Sequence, residues 1–337
     1  MSNFNIPVVL FLFKRKDTVL RIIKVLEKIK PKRIYLISDA GRNKEEIELV
    51  NNVRSSIEQS IDWECDIIKN YANKNRGVYS NIGLGARWVL EREESAIFLE
   101  DDNLPEITFF EFCNQMLDKY RYDNRVLWIC GTNYLSEYRN KNNDSYMFTQ
   151  HLLPCGWASW SQKFLKVYDG ELKTFKNKIY LQRFKDTYTS QALYKQQLES
   201  IYGEYRRGTI NKKFASWDYQ MLFSLRSNNM YGISPAVNQI RNIGADEFSI
   251  HGGNSLDKEM TRRFCEVPTK KMEFPLVHPT NFSVDKSYER KIGKIILLPI
   301  SMRIKLRLNK VIKLLLGIDP YDSLTNEFKK KFIKKDK

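Results

Sequence analysis

Short apolar runs alternate with longer amphipathic segments over the first 130 residues of the chain. Continuous apolar runs predict strands that are buried on both faces, whereas apolar residues at every third or fourth position predict helices. The predicted strands are 7–13, 33–38, 64–68, 95–99 and 126–130. The predicted helices are 17–29, 44–57, 81–92 and 106–120. This alternation predicts an α/β fold with a mostly parallel sheet flanked by helices, in which ligands bind at the carboxyl ends of the strands.

The regular alternation ends near residue 131. Loops rich in Asn, Tyr and Trp follow as far as residue 290, and the sequence predicts helical stretches near Lys163–Val167, Ser190–Gly203 and Asp218–Ser227. Residues 291–337 are rich in lysine and arginine. The sequence therefore predicts an irregular region after the α/β half, and then a basic tail.

Composition indicates a large core and an excess of positive charge. Of the 337 residues, 42% are hydrophobic and 13% aromatic, which excludes a wholly disordered chain. The net charge of +16 favours an anionic partner, such as nucleic acid, a membrane surface or a phosphorylated small molecule. Residues 291–337 hold 13 Lys and Arg against 4 Asp and Glu, so nine of these sixteen charges lie there. A nucleic-acid-binding protein, the alternative from a different class, would spread them over one face.

The cysteines and the first apolar run indicate where the protein resides. Five scattered cysteines without a C-x-x-C pair argue against a disulfide framework and a structural zinc site, and favour a reducing compartment. The run 7–13 is followed, and not preceded, by basic residues, unlike a signal peptide. No stretch reaches the ~18–20 apolar residues of a membrane-spanning helix. We therefore expect a cytoplasmic protein.

Three carboxylates follow the predicted strand 95–99 directly. Glu100, Asp101 and Asp102 would meet at the edge where a parallel sheet binds its ligand. Because these like charges repel one another, a cation is their natural partner, and oxygen ligands suit Mg²⁺ or Mn²⁺. The alternative is a solvated acidic turn in which an Asp caps the following helix.

This acidic motif resembles the metal motif of GT-A fold glycosyltransferases, since Pro105 and Phe109-Phe110 follow it. It is most similar to the N-acetylglucosaminyltransferase I-like branch and to bacterial family 2-like sugar transferases. The other stretches that resemble this branch, in its order, are Phe13–Thr18, Ile37–Gly41, Asn75–Gly77, Pro154–Trp157, Ser216–Asp218 and Ser249–Gly252. The resemblance covers about residues 7–255 and does not reach the tail.

The resemblance implies a metal-dependent, inverting glycosyltransferase, and the basic tail would fit an acceptor of bacterial surface polysaccharide synthesis. Its donor would be a nucleotide-diphosphate sugar, expected to be a UDP-sugar, and its acceptor a hydroxyl of a glycan or lipid-linked molecule. Residues 1–130 would bind the donor, and 131–290 would bind the acceptor and complete the same domain. Asp102 would hold Mn²⁺ or Mg²⁺. The residues implied in donor binding are Arg15, Asp39, Asn75, Glu100, Asp101, Trp157 and His251.

Several of these residues also have a plainer interpretation. Arg15 would bind phosphate oxygens through two N–H groups of its guanidinium, or simply end the first strand with a charge. Asp39 would accept a hydrogen bond from the base, or make an Asx turn with Gly41. Trp157 would face the sugar or pack in the core. His251 would contact phosphate or metal from a closing loop, or lie on the surface.

Asp218 is the candidate general base. A carboxylate between two aromatic residues would be partly desolvated, which raises its pKa and makes it a better proton acceptor. The alternative is N-capping of the helix that begins beside it. The related pattern has a second acidic residue where this chain reads Trp-Asp-Tyr-Gln over residues 217–220. The sequence therefore leaves open which carboxylate takes the proton.

The basic tail bears on membrane attachment, and the turn after the first strand bears on a second enzyme class of similar fold. Residues 291–316 hold seven Lys and Arg and no acids, which favours peripheral attachment to an anionic surface such as the cytoplasmic face of the inner membrane. The alternative is a solvated helix that covers the catalytic domain. A nucleotidyltransferase of similar fold, which activates sugar phosphates, would need a glycine-rich basic loop after the first strand, and Phe13–Thr18 contains no glycine.

Overall fold

The computed structural model describes residues 4–246 and 257–321. The chain divides into two compact units, Met1–Gly293 and Lys294–Lys337. None of the helices in the described ranges is long and apolar enough to cross a membrane. The five cysteines all lie in the described ranges, and each is unpaired.

The sheets are built from short strands, four of which (β1, β6, β7 and β8) are buried at every residue. The strands are β1 (Val8–Leu12), β2 (Arg33–Ser38), β3 (Asp66–Tyr71), β4 (Ser95–Glu100), β5 (Asn103–Pro105), β6 (Val126–Cys130), β7 (Tyr146–Thr149), β8 (Trp157–Trp160), β9 (Tyr231–Pro235) and β10 (Ile240–Asn242).

Helices separate and follow these strands. The helices are α1 (Lys16–Ile29), α2 (Lys44–Ser60), α3 (Leu84–Leu90), α4 (Thr108–Lys119), α5 (Ser161–Val167), α6 (Lys178–Asp186), α7 (Gln191–Asn211), α8 (Asp218–Ser227), α9 (Glu259–Phe264), α10 (Lys286–Ile296) and α11 (Ile300–Leu315). A five-residue π-helical turn, Tyr79–Gly83, leads into α3.

The main sheet of the described residues has eight strands in the order β3-β2-β1-β4-β8-β6-β9-β7. Strands β3, β2, β1 and β4 are mutually parallel, and β6 and β9 run the same way. Strands β8 and β7 are antiparallel to their neighbours. The expected fold class, a mostly parallel α/β sheet flanked by helices, is confirmed.

The sheet extends into the region for which the sequence predicts only loops and helices. Strands β7, β8 and β9 all lie between residues 131 and 290, so the prediction of an irregular region was wrong for these segments. Strand β8 is inserted antiparallel between β4 and β6, and all four of its residues are buried. Because such strands hold only four or five residues, they are too short to show a clear period in the sequence.

The predicted strand 64–68 is displaced in the structure. Strand β3 begins at Asp66 and continues to Tyr71, at the edge of the main sheet. Its residues are half-buried or exposed, because only one neighbour covers this strand. Exposed polar residues such as Asp66 and Lys69 interrupt the apolar pattern from which the other strands are predicted.

Candidate active site

The acidic motif lies at the carboxyl end of β4, beside the end of β1. Glu100 is the last residue of β4, and the parallel register pairs it with Phe11 of β1. The backbone N–H of Phe13 donates to Asp101 Oδ2 at 3.2 Å. The turn after β1 is thereby tied to the acidic motif. Parallel pairing explains why two segments nearly ninety residues apart in sequence meet here.

Arg15 extends from this turn onto the carboxylates. Its Nη1 lies 3.2 Å from Asp101 Oδ1 and 3.2 Å from Asp102 Oδ2. Its Nε lies 2.9 Å from Asp246 Oδ2. One guanidinium thus contacts three carboxylates, so negative charge exceeds positive charge among these contacts. Such an excess favours a further cation at the same place.

The pKa values of the acidic side chains reflect this crowding. Burial, followed by the charge of Asp102, raises the pKa of Asp101 to about 7, although Arg15 opposes the shift. Burial also raises the pKa of Asp102. For Glu100, burial and then the charges of Asp102, Asp101 and Asp218 raise the pKa well above its usual value. Each added charge makes the next carboxylate harder to ionise, which a bound cation would relieve.

Burial and charge act in opposite directions on Arg15. Burial alone would lower the pKa of its guanidinium, but Asp101, Asp102 and Asp246 outweigh burial and raise it. Arg15 therefore stays charged as the counter-ion of the acidic motif. The sequence offered two interpretations, a phosphate contact and a charge that ends the strand. The structure places the side chain against the predicted metal residue Asp102.

Two asparagines and a glycine fix the Asp102 carboxylate. Asn103 Nδ2 donates to Oδ1 at 2.7 Å, and Asn242 Nδ2 donates to the same oxygen at 3.3 Å. These asparagines are opposite each other where β5 pairs antiparallel with β10. A Cβ on Gly244 would lie 3.0 Å from Asp102 Cγ and still closer to Oδ2. Only glycine therefore allows the loop after β10 to approach this carboxylate so closely.

Asp39 acts as an anchor for the loop that contains Asn75. Its Oδ1 accepts from the backbone N–H groups of Ala40 and Arg76, both at 2.8 Å. Its Oδ2 accepts from Asn75 Nδ2 at 3.0 Å and from the N–H of Gly77 at 2.9 Å. Four donors match the roughly four lone pairs of a carboxylate. Asp39 would therefore have to release one donor before it could accept from a nucleotide base.

Asp218 begins α8 and is held by the residue two positions before it. Ser216 Oγ donates to Asp218 Oδ1 at 2.5 Å and accepts from the backbone N–H of Tyr219 at 3.1 Å. The side chain of Asp218 is not the cap, because the helix is capped from Ser216. Since the charge of Asp218 contributes to the raised pKa of Glu100, the two carboxylates are electrostatically coupled.

Trp157 packs in the core, and this corrects its predicted place against the sugar. It is fully buried in β8. Its ring stacks on Phe98 with a centroid distance of 3.9 Å and on Trp128 at 4.1 Å. The core alternative therefore describes its position. Trp217 also packs against this stack, with its ring centroid 5.7 Å from that of Trp157, so the stack supports the segment that carries Asp218.

His251 lies outside the described residues. The loop from Asn242 to Asp246 leads towards it, and sequence reasoning missed this loop as part of the site. The signal was present as Asn-Ile-Gly-Ala-Asp over residues 242–246, where a glycine lies between two polar side chains that can reach a ligand site. Ser216 was also missed, although it lies two residues before the predicted base.

The acidic motif is chemically suited to a hard divalent cation. It offers carboxylate oxygens, which Mg²⁺ and Mn²⁺ prefer. Within residues 4–246 and 257–321, no group of three or more His, Cys, Asp and Glu is already arranged as a metal site. Mg²⁺ in proteins is usually held by one or two carboxylates and completed by substrate phosphates.

Comparison with known proteins gives no sequence relative but several similar solved structures. Neither a protein-family model nor a curated protein matches the chain. A structure of GalNAc-T7 with UDP, GalNAc and Mn²⁺ is 10% identical, with 77% of this chain covered and a TM-score of 0.47. The chain spans about half, 48%, of the length of that protein.

Two further similar structures belong to different enzymes. A mannosyltransferase from Pyrobaculum calidifontis in complex with GDP-Man and Mn²⁺ is 8% identical, covering 68% of this chain and 70% of that one, with a TM-score of 0.37. A UDP-glucose pyrophosphorylase complexed with UDP-glucose is 12% identical, covering 71% of this chain and 94% of that one, also with a TM-score of 0.37.

Proposed function

We propose that this chain is a metal-dependent glycosyltransferase. It would move a sugar from a nucleotide-diphosphate donor, expected to be a UDP-sugar, to a hydroxyl of a glycan or lipid-linked acceptor. The observation that carries the proposal is the group of Glu100, Asp101 and Asp102 around Arg15, with Asp218 coupled to Glu100. This arrangement combines a place for a diphosphate with its cation and a carboxylate that can accept a proton.

The residues divide the chemistry between two sides of the site. Asp102 would hold the cation, which would supply Lewis-acid stabilisation of the departing diphosphate. Arg15 would bind phosphate oxygens through its guanidinium. Asp218 would take the proton of the acceptor hydroxyl, and Ser216 keeps that carboxylate in place.

The bonds of this reaction balance without an enzyme nucleophile. The acceptor oxygen forms a bond to C1 of the sugar as the bond from C1 to the diphosphate oxygen breaks. The electron pair leaves with the diphosphate, and the hydroxyl proton goes to Asp218. Direct displacement of this kind inverts the configuration at C1, as the resemblance implies.

The proposal retains most of the donor-binding residues that the sequence predicts. Glu100 and Asp101 would lie beside the sugar and diphosphate, and Asn75 would act with Asp39 in shaping the loop 75–77. His251 stays a proposed contact of the closing loop. Trp157 would act indirectly, from the core, by packing against Trp217 and so supporting the segment that carries Asp218. A lipid-linked acceptor would place the reaction at a membrane surface, and the assignment to surface polysaccharide synthesis remains a proposal.

A binding measurement tests the metal and donor site together. UDP and GDP would be titrated into the full chain with and without Mn²⁺, the metal found with nucleotides or nucleotide sugars in two similar structures. Asp102→Asn would be compared with Asp118→Asn, which changes an exposed acid on α4. We expect Mn²⁺ to strengthen binding of one nucleotide by at least about tenfold in the native chain and in Asp118→Asn, and not in Asp102→Asn. If Mn²⁺ strengthened nucleotide binding in Asp102→Asn as much as in the native chain, Asp102 would not be the metal ligand.

A product assay separates the transferase from the nucleotidyltransferase. Nucleotide sugars would be screened for metal-dependent hydrolysis and transfer, and UTP with sugar 1-phosphates for pyrophosphate release. We expect only the first reaction. Arg15 is held by carboxylates in a turn without glycine, which is a poor cradle for a triphosphate. Pyrophosphate release without sugar transfer would show that the alternative is correct.

A further inference from the structure

Helix α11 of the second compact unit exposes an unusual amount of apolar surface. None of its residues is buried. At about 100° per residue, seven apolar side chains fall within a sector of about 160°. These side chains are between 47% and 81% exposed, and we call them the apolar face: Ile300, Ile304, Leu308, Val311, Ile312, Leu314 and Leu315.

The rest of the α11 surface carries most of the basic residues of the helix, together with Met302 and the 50% exposed Leu306. The helix contains five Lys and Arg and no acidic residue. Four of the five, Arg303, Lys305, Lys310 and Lys313, fall outside the sector of the apolar face at the same angular spacing. The fifth, Arg307, lies within that sector, near one edge. The side chains are long enough to reach past apolar surface while their charges stay in water.

Length and charge together identify the surface that this helix fits. Its 16 residues rise about 24 Å, which is less than the roughly 30 Å of a bilayer core. Pro299 precedes α11 and separates it from α10, so the two do not form one long helix. A second copy of α11 would bring like charges together along the edges of the apolar face. An anionic lipid surface instead accepts both the apolar face and the basic residues.

We propose that α11 is a membrane-docking helix that lies in the interface of an anionic bilayer with its apolar face in the lipid. This proposal goes beyond sugar transfer and does not depend on it. The apolar side chains leave water, and Lys305 and Arg307, both exposed, lie at the level of the anionic headgroups. Docking of this kind is reversible and weakens as salt screens the charges.

Co-sedimentation of the full chain with lipid vesicles tests the docking helix. Vesicles of phosphatidylcholine would be compared with vesicles that contain about 30% phosphatidylglycerol, at low and high salt. We expect binding to the anionic vesicles at low salt, and a loss of at least about tenfold at high salt. Binding that is equal on both kinds of vesicle, or absent from the anionic ones at low salt, would overturn the proposal.

Matched variants separate the helix from the rest of the chain. Leu308→Glu with Leu315→Glu places two acids on the apolar face, at positions 57% and 81% exposed. Ile210→Glu makes the same change at a 62% exposed position of α7. We expect the double variant to lose at least about tenfold in vesicle partitioning, and Ile210→Glu to bind like the native chain. Unchanged binding by the double variant would overturn the proposal.

Solution measurements identify the competing occupant of the apolar face. Light scattering would give the mass of the native chain and of the double variant without lipid. We expect the same mass for both and, by circular dichroism, the same fold, since these side chains are exposed. A native dimer that the double variant dissociates, together with no binding to anionic vesicles, would show that a second copy covers the face.

Discussion

The guanidinium of Arg15 lies 3.2 Å from the carboxylate of Asp102, so the turn after β1 is joined to the end of β4 by an ion pair. The same guanidinium contacts Asp101 and Asp246. A cation held by Asp102 would therefore be repelled by the positive charge of Arg15, which already contacts the same carboxylate. This relationship predicts that the metal and Arg15 compete for the carboxylate, and that Arg15 becomes available to phosphate when the metal binds.

Replacement of Arg15 should change metal and nucleotide affinity in opposite directions. In Arg15→Gln the competing charge is lost, so we expect Mn²⁺ alone to bind more tightly, by on the order of tenfold. UDP in the presence of Mn²⁺ should bind more weakly by a similar factor, because a charged phosphate contact is lost. Calorimetric titration measures both constants. Arg87→Gln, which removes a half-exposed pair on α3, is the control. A fall in both affinities would show that Arg15 only supports the fold.

The Asp218→Asn variant should separate catalysis from donor binding. The amide keeps the size of the side chain but cannot take the acceptor proton, so turnover should fall by on the order of 10²–10⁴. Mn²⁺-dependent UDP affinity should stay within about twofold of the native value, because Asp218 is not among the contacts of Arg15 or Asp102. Steady-state transfer assays and nucleotide titration measure the two effects. A turnover loss below about tenfold would remove Asp218 from the role of base.

Ser216 should act through Asp218 and not on the substrate. Its hydroxyl donates to Asp218 and accepts from Tyr219, so both of its hydrogen bonds are used in holding the start of α8. Ser216→Ala should lower kcat by about tenfold with little change in the KM of the donor, and Ser216→Thr should restore most of the loss. A loss of stability without that selective fall in kcat, or no rescue by Ser216→Thr, would indicate a structural role.

The local sequence was sufficient to predict the part of the site that lies at the end of β4. The apolar run 95–99 predicted the strand, and the residues after a parallel strand fall at the ligand-binding edge. Arg15 follows β1 in the same way, and β1 and β4 are neighbours in the sheet. The period of the chain and the general behaviour of parallel sheets therefore predicted that Arg15 and Asp102 would lie at one edge. Their direct contact depends on side-chain geometry that the sequence does not reveal.

The rest of the site depends on contacts between distant segments. Asn242 reaches Asp102 across 140 positions, because β10 pairs with β5. Strands of three residues leave no period in the sequence, so neither this pairing nor the approach of Gly244 was predicted. Trp157 was misplaced for a related reason. Its burial follows from the antiparallel insertion of β8, and the sequence does not distinguish that strand from a loop.

Gly244→Ala should weaken the metal site without disturbing the sheet. The added methyl would lie 3.0 Å from Asp102 Cγ, so the carboxylate or the loop must move. We expect Mn²⁺-dependent UDP affinity to fall by at least about tenfold, because ligand geometry is displaced by several tenths of an ångström. Gly232→Ala is the matched control, since a Cβ there has its nearest neighbours at 3.6 Å. Equal affinities in the two variants would mean that the loop 242–246 does not position Asp102.

Far from the acidic motif, a buried ion network predicts the acid sensitivity of the fold. Glu289 of α10 accepts from Thr149 Oγ1 at 2.7 Å and lies 2.7 Å from His151 Nε2. His151 Nδ1 lies 3.2 Å from Arg226 Nη2, so the three ionisable side chains form one chain of contacts. Burial alone would raise the pKa of Glu289, but His151, Arg226 and Thr149 outweigh it and lower the pKa to about 2.

The sign of the effect follows from that lowered pKa. A carboxylate with a folded-state pKa of about 2, against an ordinary 4.5, stabilises the fold at pH values above 4.5, and this stabilisation is lost as the pH falls towards 2. At about 1.4 kcal/mol per unit it amounts to about 3 kcal/mol, of which about half is lost by about pH 3.5.

Glu289→Gln should therefore be less stable than the native chain by about 3 kcal/mol at neutral pH, and the difference should shrink on acidification. Urea unfolding at several pH values measures it. Glu91→Gln, in a half-exposed pair at the end of α3, should follow the native chain throughout. A difference between Glu289→Gln and the native chain that stays constant with pH would mean that this network does not set the acid sensitivity.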